Sequence, residues 1–162
     1  MPKIIEKVFS ENEMKSYLFV FYAMLVANII YIIILQILNT SSKDFSGSAN
    51  SLAQFLFFGF IILAIIDAGI AFRVYIPRGT NSDHPAYAFS NFSISAVLFE
   101  TSGMFGFVLG LIQIYANHIH INWMQLVGFF LFSIITVFWI IQSHIIPIMS
   151  KFVGLKFKYS AN

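Results

Sequence analysis

The sequence predicts an all-α membrane protein with four transmembrane helices and both termini on the cytoplasmic side. Three observations lead there. The 162 residues are 59% hydrophobic and only 10% charged, with a mean hydropathy of +0.83, whereas soluble domains carry about 25% charged residues. Four apolar runs each approach or exceed the ~20 residues needed to cross a hydrocarbon core of roughly 30 Å. The basic residues are also segregated. Lys3, Lys7, Lys15, Arg73, Arg78, Lys151, Lys156 and Lys158 fall on one side of these runs, and Lys43 alone on the other. By the positive-inside rule both termini and the second loop are then cytoplasmic. The expected location is the cell (inner or plasma) membrane, in a multi-pass arrangement.

Residues 1–16 read as a cytoplasmic interfacial segment. Ile4, Ile5, Val8 and Phe9 share one helical face while Lys3, Glu6 and Lys7 share the other, as in a short helix lying on the membrane surface. Ser10 and Glu13 have capping-box spacing and start a fresh helix. The first span, 17–38, carries no charge. Its apolar run is too long for a signal-peptide core and no small-residue cleavage site follows, so it is expected to be a retained helix. Asn28 within it is a candidate interhelical hydrogen bonder. A Ser-, Asn- and Gly-rich loop follows, where Asn39 opens a glycosylation sequon that touches the helix end.

The second span, 52–76, contains Asp67 and the small residues Ala68, Gly69 and Ala71, which permit close helix contact. Arg73 lies near its cytoplasmic edge, where a long side chain can reach the interface. Pro77, Arg78, Gly79, Asn81, Asp83 and Pro85 mark an irregular loop. The third span, 90–116, holds Glu100. Residues 117–122 make a short outer turn into the fourth span, 123–149, which Pro147 is expected to end. Tyr115 and Trp123 suit an aromatic belt at one interface. The tail 150–162 mixes Lys151, Lys156 and Lys158 with Phe152, Phe157 and Tyr159, a composition that suits an anionic leaflet. The whole is one domain of a few spans, without an internal repeat.

Composition and motifs also exclude. The chain has no Cys, so disulfides, thiol nucleophiles and cysteine-held clusters are out. A net charge of +2 is too small to imply nucleic acid. There is no Gly-rich phosphate loop, no Ser-His-Asp constellation and no zinc-type spacing. No cofactor is expected, and the chain does not read as an enzyme in itself. His118 and His120, two apart in the outer turn, are the weak candidates for a metal. A bis-His haem would need histidines on different helices at one depth. His84 and His144 both lie near the cytoplasmic side, one in a loop and one near a helix end, and interface hydrogen bonding accounts better for all four.

The chemistry-bearing residues are the carboxylates inside the apolar runs. An ionised group at the centre of a span costs roughly 2.5–3.5 kcal/mol on insertion scales. Glu100 must therefore be protonated, paired or turned to a polar cavity. Glu100 and Asp67 are expected at similar depth, on sequential antiparallel helices that are neighbours by connectivity. Close together, the two would not both ionise and would share a proton or a cation. Ser95, Thr101 and Ser102 could add hydroxyl oxygens, and Arg73 is a candidate charge partner for Asp67.

The run from Ile94 through Glu100, Gly103 and Gly106 to Asn117 resembles the carboxylate helix of the proteolipid ring subunits of rotary ATPases. That helix carries an ion-binding Glu or Asp, then small residues, then an aromatic and apolar stretch. The preceding Arg73 to Arg78 segment is similar to the family's polar cytoplasmic loop, which contacts the central stalk. The resemblance implies that Glu100 binds H⁺ or Na⁺. Phe57, Phe58 and Phe60 depart from the family's glycine-rich partner helix and do not suit a tight ring.

Two functions follow as expectations. One is a small integral subunit of a larger membrane complex, whose Glu100, with Asp67, binds or relays H⁺ or Na⁺. The other is a non-catalytic scaffold or accessory subunit in which the carboxylates are structural anchors. In both, the partners are the lipid bilayer and other membrane subunits.

Overall fold

The computed structural model describes residues 11–41, 51–82 and 85–150. The expected surface helix over 1–10, most of the first loop and the basic-aromatic tail after Ser150 lie outside the described residues. Within them the chain is helical, with four stretches long and apolar enough to cross a membrane: Lys15–Ser41, Ala53–Thr80, Ala86–Tyr115 and Trp123–Ser150. No strand occurs among the described residues.

The first span is α1 (Glu11–Ser41). The second combines α2 (Ser51–Ile70), a π-helical turn (Ala71–Tyr75) and α3 (Ile76–Thr80). The third is α4 (Pro85–Tyr115). The fourth is α5 (Trp123–Ile140) and a second π-helical turn (Ile141–Ile145), after which the helix resumes to residue 150.

Neither proline ends its helix, contrary to the expectation from sequence. Proline lacks the N–H that would bond the carbonyl four residues back, and its ring collides with that carbonyl. For Pro77 the carbonyl is that of Arg73, and for Pro147 that of Ser143. In both helices the chain widens into a π turn just before the proline. Ile76 N–H bonds Ala71 O and Ile146 N–H bonds Ile141 O, five residues back instead of four. One extra residue per turn makes room for the ring. The segment from Arg73 to Arg78 is consequently helical, not a loop. At the start of α4, Pro85 occupies the first turn, where its missing N–H is no loss. The helix therefore begins five residues before the expected Ser90.

Helix α4 is the centre of the bundle. Half of its most apolar window is buried, against 6% for the second span. Helix α1 runs parallel to it: Tyr17 stacks on Phe89 and, further along both helices, Tyr31 stacks on Phe107. Helices α2 and α5 run antiparallel to α4: Phe60 meets Phe105 and Asp67 meets Thr101, while Gln125 meets Gln113 and Ser133 meets Glu100. Two cores result. One core includes Phe21, Phe89, Phe92, Phe99 and Ile141. The other includes Leu35, Leu109, Leu126 and Phe130.

Small residues set how closely these helices approach. A Cβ on Gly103 would overlap the Asn28 amide oxygen, and one on Gly110 would lie 2.7 Å from a Leu35 methyl. The two glycines are seven apart, as are Asn28 and Leu35, so they form the floor of the parallel α1–α4 crossing. Gly106 faces α5 instead, with Phe129 and Phe130 against it. Between α4 and α5, Ile121 N donates to Asn39 Oδ1 at 2.9 Å and Asn122 N to Gln113 Oε1 at 2.8 Å. The amide that the sequon reading singled out thus holds the α4–α5 turn.

Because overpacking costs typically 1–3 kcal/mol, Gly103→Ala should destabilise the bundle by about that amount. Gly59→Ala, whose new Cβ meets nothing within 4 Å, should be neutral. Unfolding titrations in mixed detergent micelles distinguish the two.

Candidate functional site

Three helices bring polar groups to one buried point. Glu100 on α4 is 8% exposed, and Asn28 on α1 and Ser133 on α5 are fully buried. Asn28 lies midway along its span and Glu100 midway along its own. Asn28 Nδ2 donates to Glu100 Oε2 at 2.5 Å, and Ser133 Oγ donates to the same oxygen at 2.9 Å. Asn28 Nδ2 also reaches Ser133 Oγ at 3.1 Å and the Met24 carbonyl of its own helix at 3.1 Å. Ser133 therefore accepts from Asn28 and donates to Glu100, which closes a three-residue network.

The network is one-sided. Glu100 Oε1 and Asn28 Oδ1 are buried without a hydrogen-bond partner. Among the described residues no cationic side chain is bonded to the carboxyl group. Both donors, the Asn28 amide and the Ser133 hydroxyl, meet the same oxygen and are neutral groups.

Asp67 occupies the middle of the second span but belongs to a separate site. It is half-buried, and Thr101 Oγ1 donates to its Oδ2 at 2.7 Å. The same hydroxyl lies 2.6 Å from the Leu98 carbonyl, so one proton serves two acceptors. The expected sharing of a proton between Asp67 and Glu100 does not take this form. Successive residues on a helix point about 100° apart. Thr101 consequently faces α2 while Glu100 faces α1 and α5, and each carboxyl group has its own partners. Arg73 is exposed, and the Asp67 hydrogen bond comes from Thr101 rather than from it. Ser95 is fully buried, but its hydroxyl donates to Asn91 O at 3.0 Å, not to Glu100. Ser102 donates to Phe129 O at 3.2 Å and ties α4 to α5.

His118 and His120 are exposed in the turn between α4 and α5, His118 with φ 50°. Among the described residues no group of three or more His, Asp or Glu could hold a metal ion. A groove of about 370 Å³ separates α2 from α5, lined by Phe57, Ile61, Ala64, Gly128 and Phe129 with Ser102 at its floor. Neither carboxylate lines it.

Ser133 is the site residue that sequence reading missed. A serine in an apolar helix is common and usually bonds its own backbone, and only the α4–α5 register shows that this one meets Glu100. No protein-family model matches the chain, and no curated protein or solved structure is similar to it.

Removing either donor leaves the Glu100 carboxyl less satisfied, so Asn28→Ala and Ser133→Ala should each destabilise the bundle by about 1–3 kcal/mol. Since Asn28, Ser133 and Glu100 form one network, the double variant should lose less than the sum of the two. A double-mutant cycle on unfolding free energy checks this.

Proposed function

We propose that this chain is a small integral membrane subunit of a larger membrane complex, and that Glu100 binds or relays a proton within the bilayer. In this reading the four spans place both termini and the α3–α4 connection in the cytoplasm. The observation that carries it is the unpartnered Glu100 Oε1. A carboxylate kept only as a structural anchor would have both oxygens satisfied, as buried polar groups normally are. Here one oxygen holds the helices together and the other is left for a proton.

The surroundings favour H⁺ over Na⁺. A hard cation needs a shell of oxygen ligands. The groups around Glu100 Oε2 are an amide N–H and a hydroxyl acting as donors, and the remaining unpartnered oxygen, Asn28 Oδ1, is wedged against Gly103. The resemblance of the Glu100 segment to proteolipid carboxylate helices points towards ion binding as well. The accessory-scaffold reading draws support from the Asp67–Thr101 bond, which fixes α2 to α4 without involving Glu100.

A hydrophobic carbodiimide, which attacks protonated carboxyl groups, should modify Glu100 in membranes. Labelling should fall as pH rises and should not be diminished by Na⁺. Protection by Na⁺ would move the assignment to a cation site. Absence of labelling, together with full activity of the complex carrying Glu100→Gln, would leave only the scaffold reading. Orientation is checked separately, because the chain has no Cys of its own. A cysteine replacing Arg78 should react with an impermeant maleimide only after the membrane is opened, and one replacing His120 should react in intact cells.

A further inference from the structure

We propose that the α2/α4 face centred on Asp67 and Thr101 docks a transmembrane helix of another protein that carries a Lys or Arg near its midpoint. The inference stands independently of the role given to Glu100. Asp67 lies midway along its span, roughly 20 Å from either end at 1.5 Å per residue. It is half-buried, and its hydrogen bond within the bundle is half of a shared hydroxyl proton. Intramembrane acids of this kind pair with a complementary group.

The surface around Asp67 is built for a helix. Residues three and four apart share a helical face. One turn to either side of Asp67 lie Leu63 and Ile70, with Ile66 beside them, and one turn to either side of Thr101 lie Val97 and Met104. All five are exposed. Together they form an apolar platform with the carboxylate at its centre, on the helix that the bundle covers least.

Charge complementarity selects the occupant. Lipid headgroups do not reach midspan. A second copy related by two-fold symmetry would set Asp67 against Asp67. A head-to-tail copy would offer Arg73, which lies six residues further along the helix and so about 9 Å away in depth. A foreign helix with a basic residue at midspan meets the requirement with neither penalty.

The test uses the full chain in phosphatidylcholine vesicles with synthetic Leu-rich transmembrane peptides carrying a single central Lys, Leu or Glu. Association is read by energy transfer between labels on the chain and the peptide. The Lys-centred peptide should bind about tenfold more tightly than the Leu-centred one. Asp67→Asn, which keeps an oxygen for Thr101, should abolish that advantage. Asp67→Lys should pass the preference to the Glu-centred peptide. Ile66→Trp, which keeps the charge and obstructs the platform, should weaken the Lys-centred peptide as well, and it decides the matter if a charge variant fails to fold. Equal binding of the Lys- and Leu-centred peptides to the unaltered chain would overturn the proposal. So would a Lys preference that survives Asp67→Asn, or energy transfer between copies of the chain that disappears in Asp67→Asn.

Discussion

The bundle depends on how one buried carboxyl group is held between three helices. Between helices in lipid there is little hydrophobic driving force, because acyl chains are as apolar as leucine. Packing and a few polar contacts must then fix which helix meets which. Glu100 does this for three helices at once, through Asn28 on α1 and Ser133 on α5. Gly103 is part of the same arrangement, since any side chain there would occupy the place of the Asn28 amide. The glycine spacing and the polar network are two aspects of one contact.

The two carboxylates show how helical geometry divides labour between adjacent residues. Glu100 and Thr101 are consecutive, yet one looks into the α1–α5 side and the other reaches α2. One site is enclosed and the other is open to the bundle surface. Their chemistry differs accordingly. The enclosed acid bonds side chains of two other helices, and the half-exposed acid bonds one hydroxyl of the neighbouring helix.

Much of this was legible in the sequence. The four spans follow from the lengths of their apolar runs, and Glu100, Asn28 and the glycine face of α4 stand out as exceptions to apolar composition. The pairing of Glu100 with Asp67 was not legible correctly. Similar depth and adjacent helices say nothing about rotation around the helix axis, and a 100° step separates the two faces. Ser133 carried no local signal, because its significance lies in the register between α4 and α5. Pro77 and Pro147 misled for another reason. A proline breaks an α-helical ladder, but a π turn just upstream absorbs it, and the residues before each proline give no sign of that extra residue.

The parallel α1–α4 contact has a consequence for biogenesis. Parallel helices cannot be consecutive in a chain of alternating spans, and Asn28 is 72 residues from Glu100. At a synthesis rate of 5–20 residues per second, roughly 4–14 s separate the emergence of the two. For that interval α1 carries an amide whose interhelical partners do not yet exist. The bond from Asn28 Nδ2 to the carbonyl of Met24 lies within its own helix and is available throughout, so that amide has a partner before α4 is made.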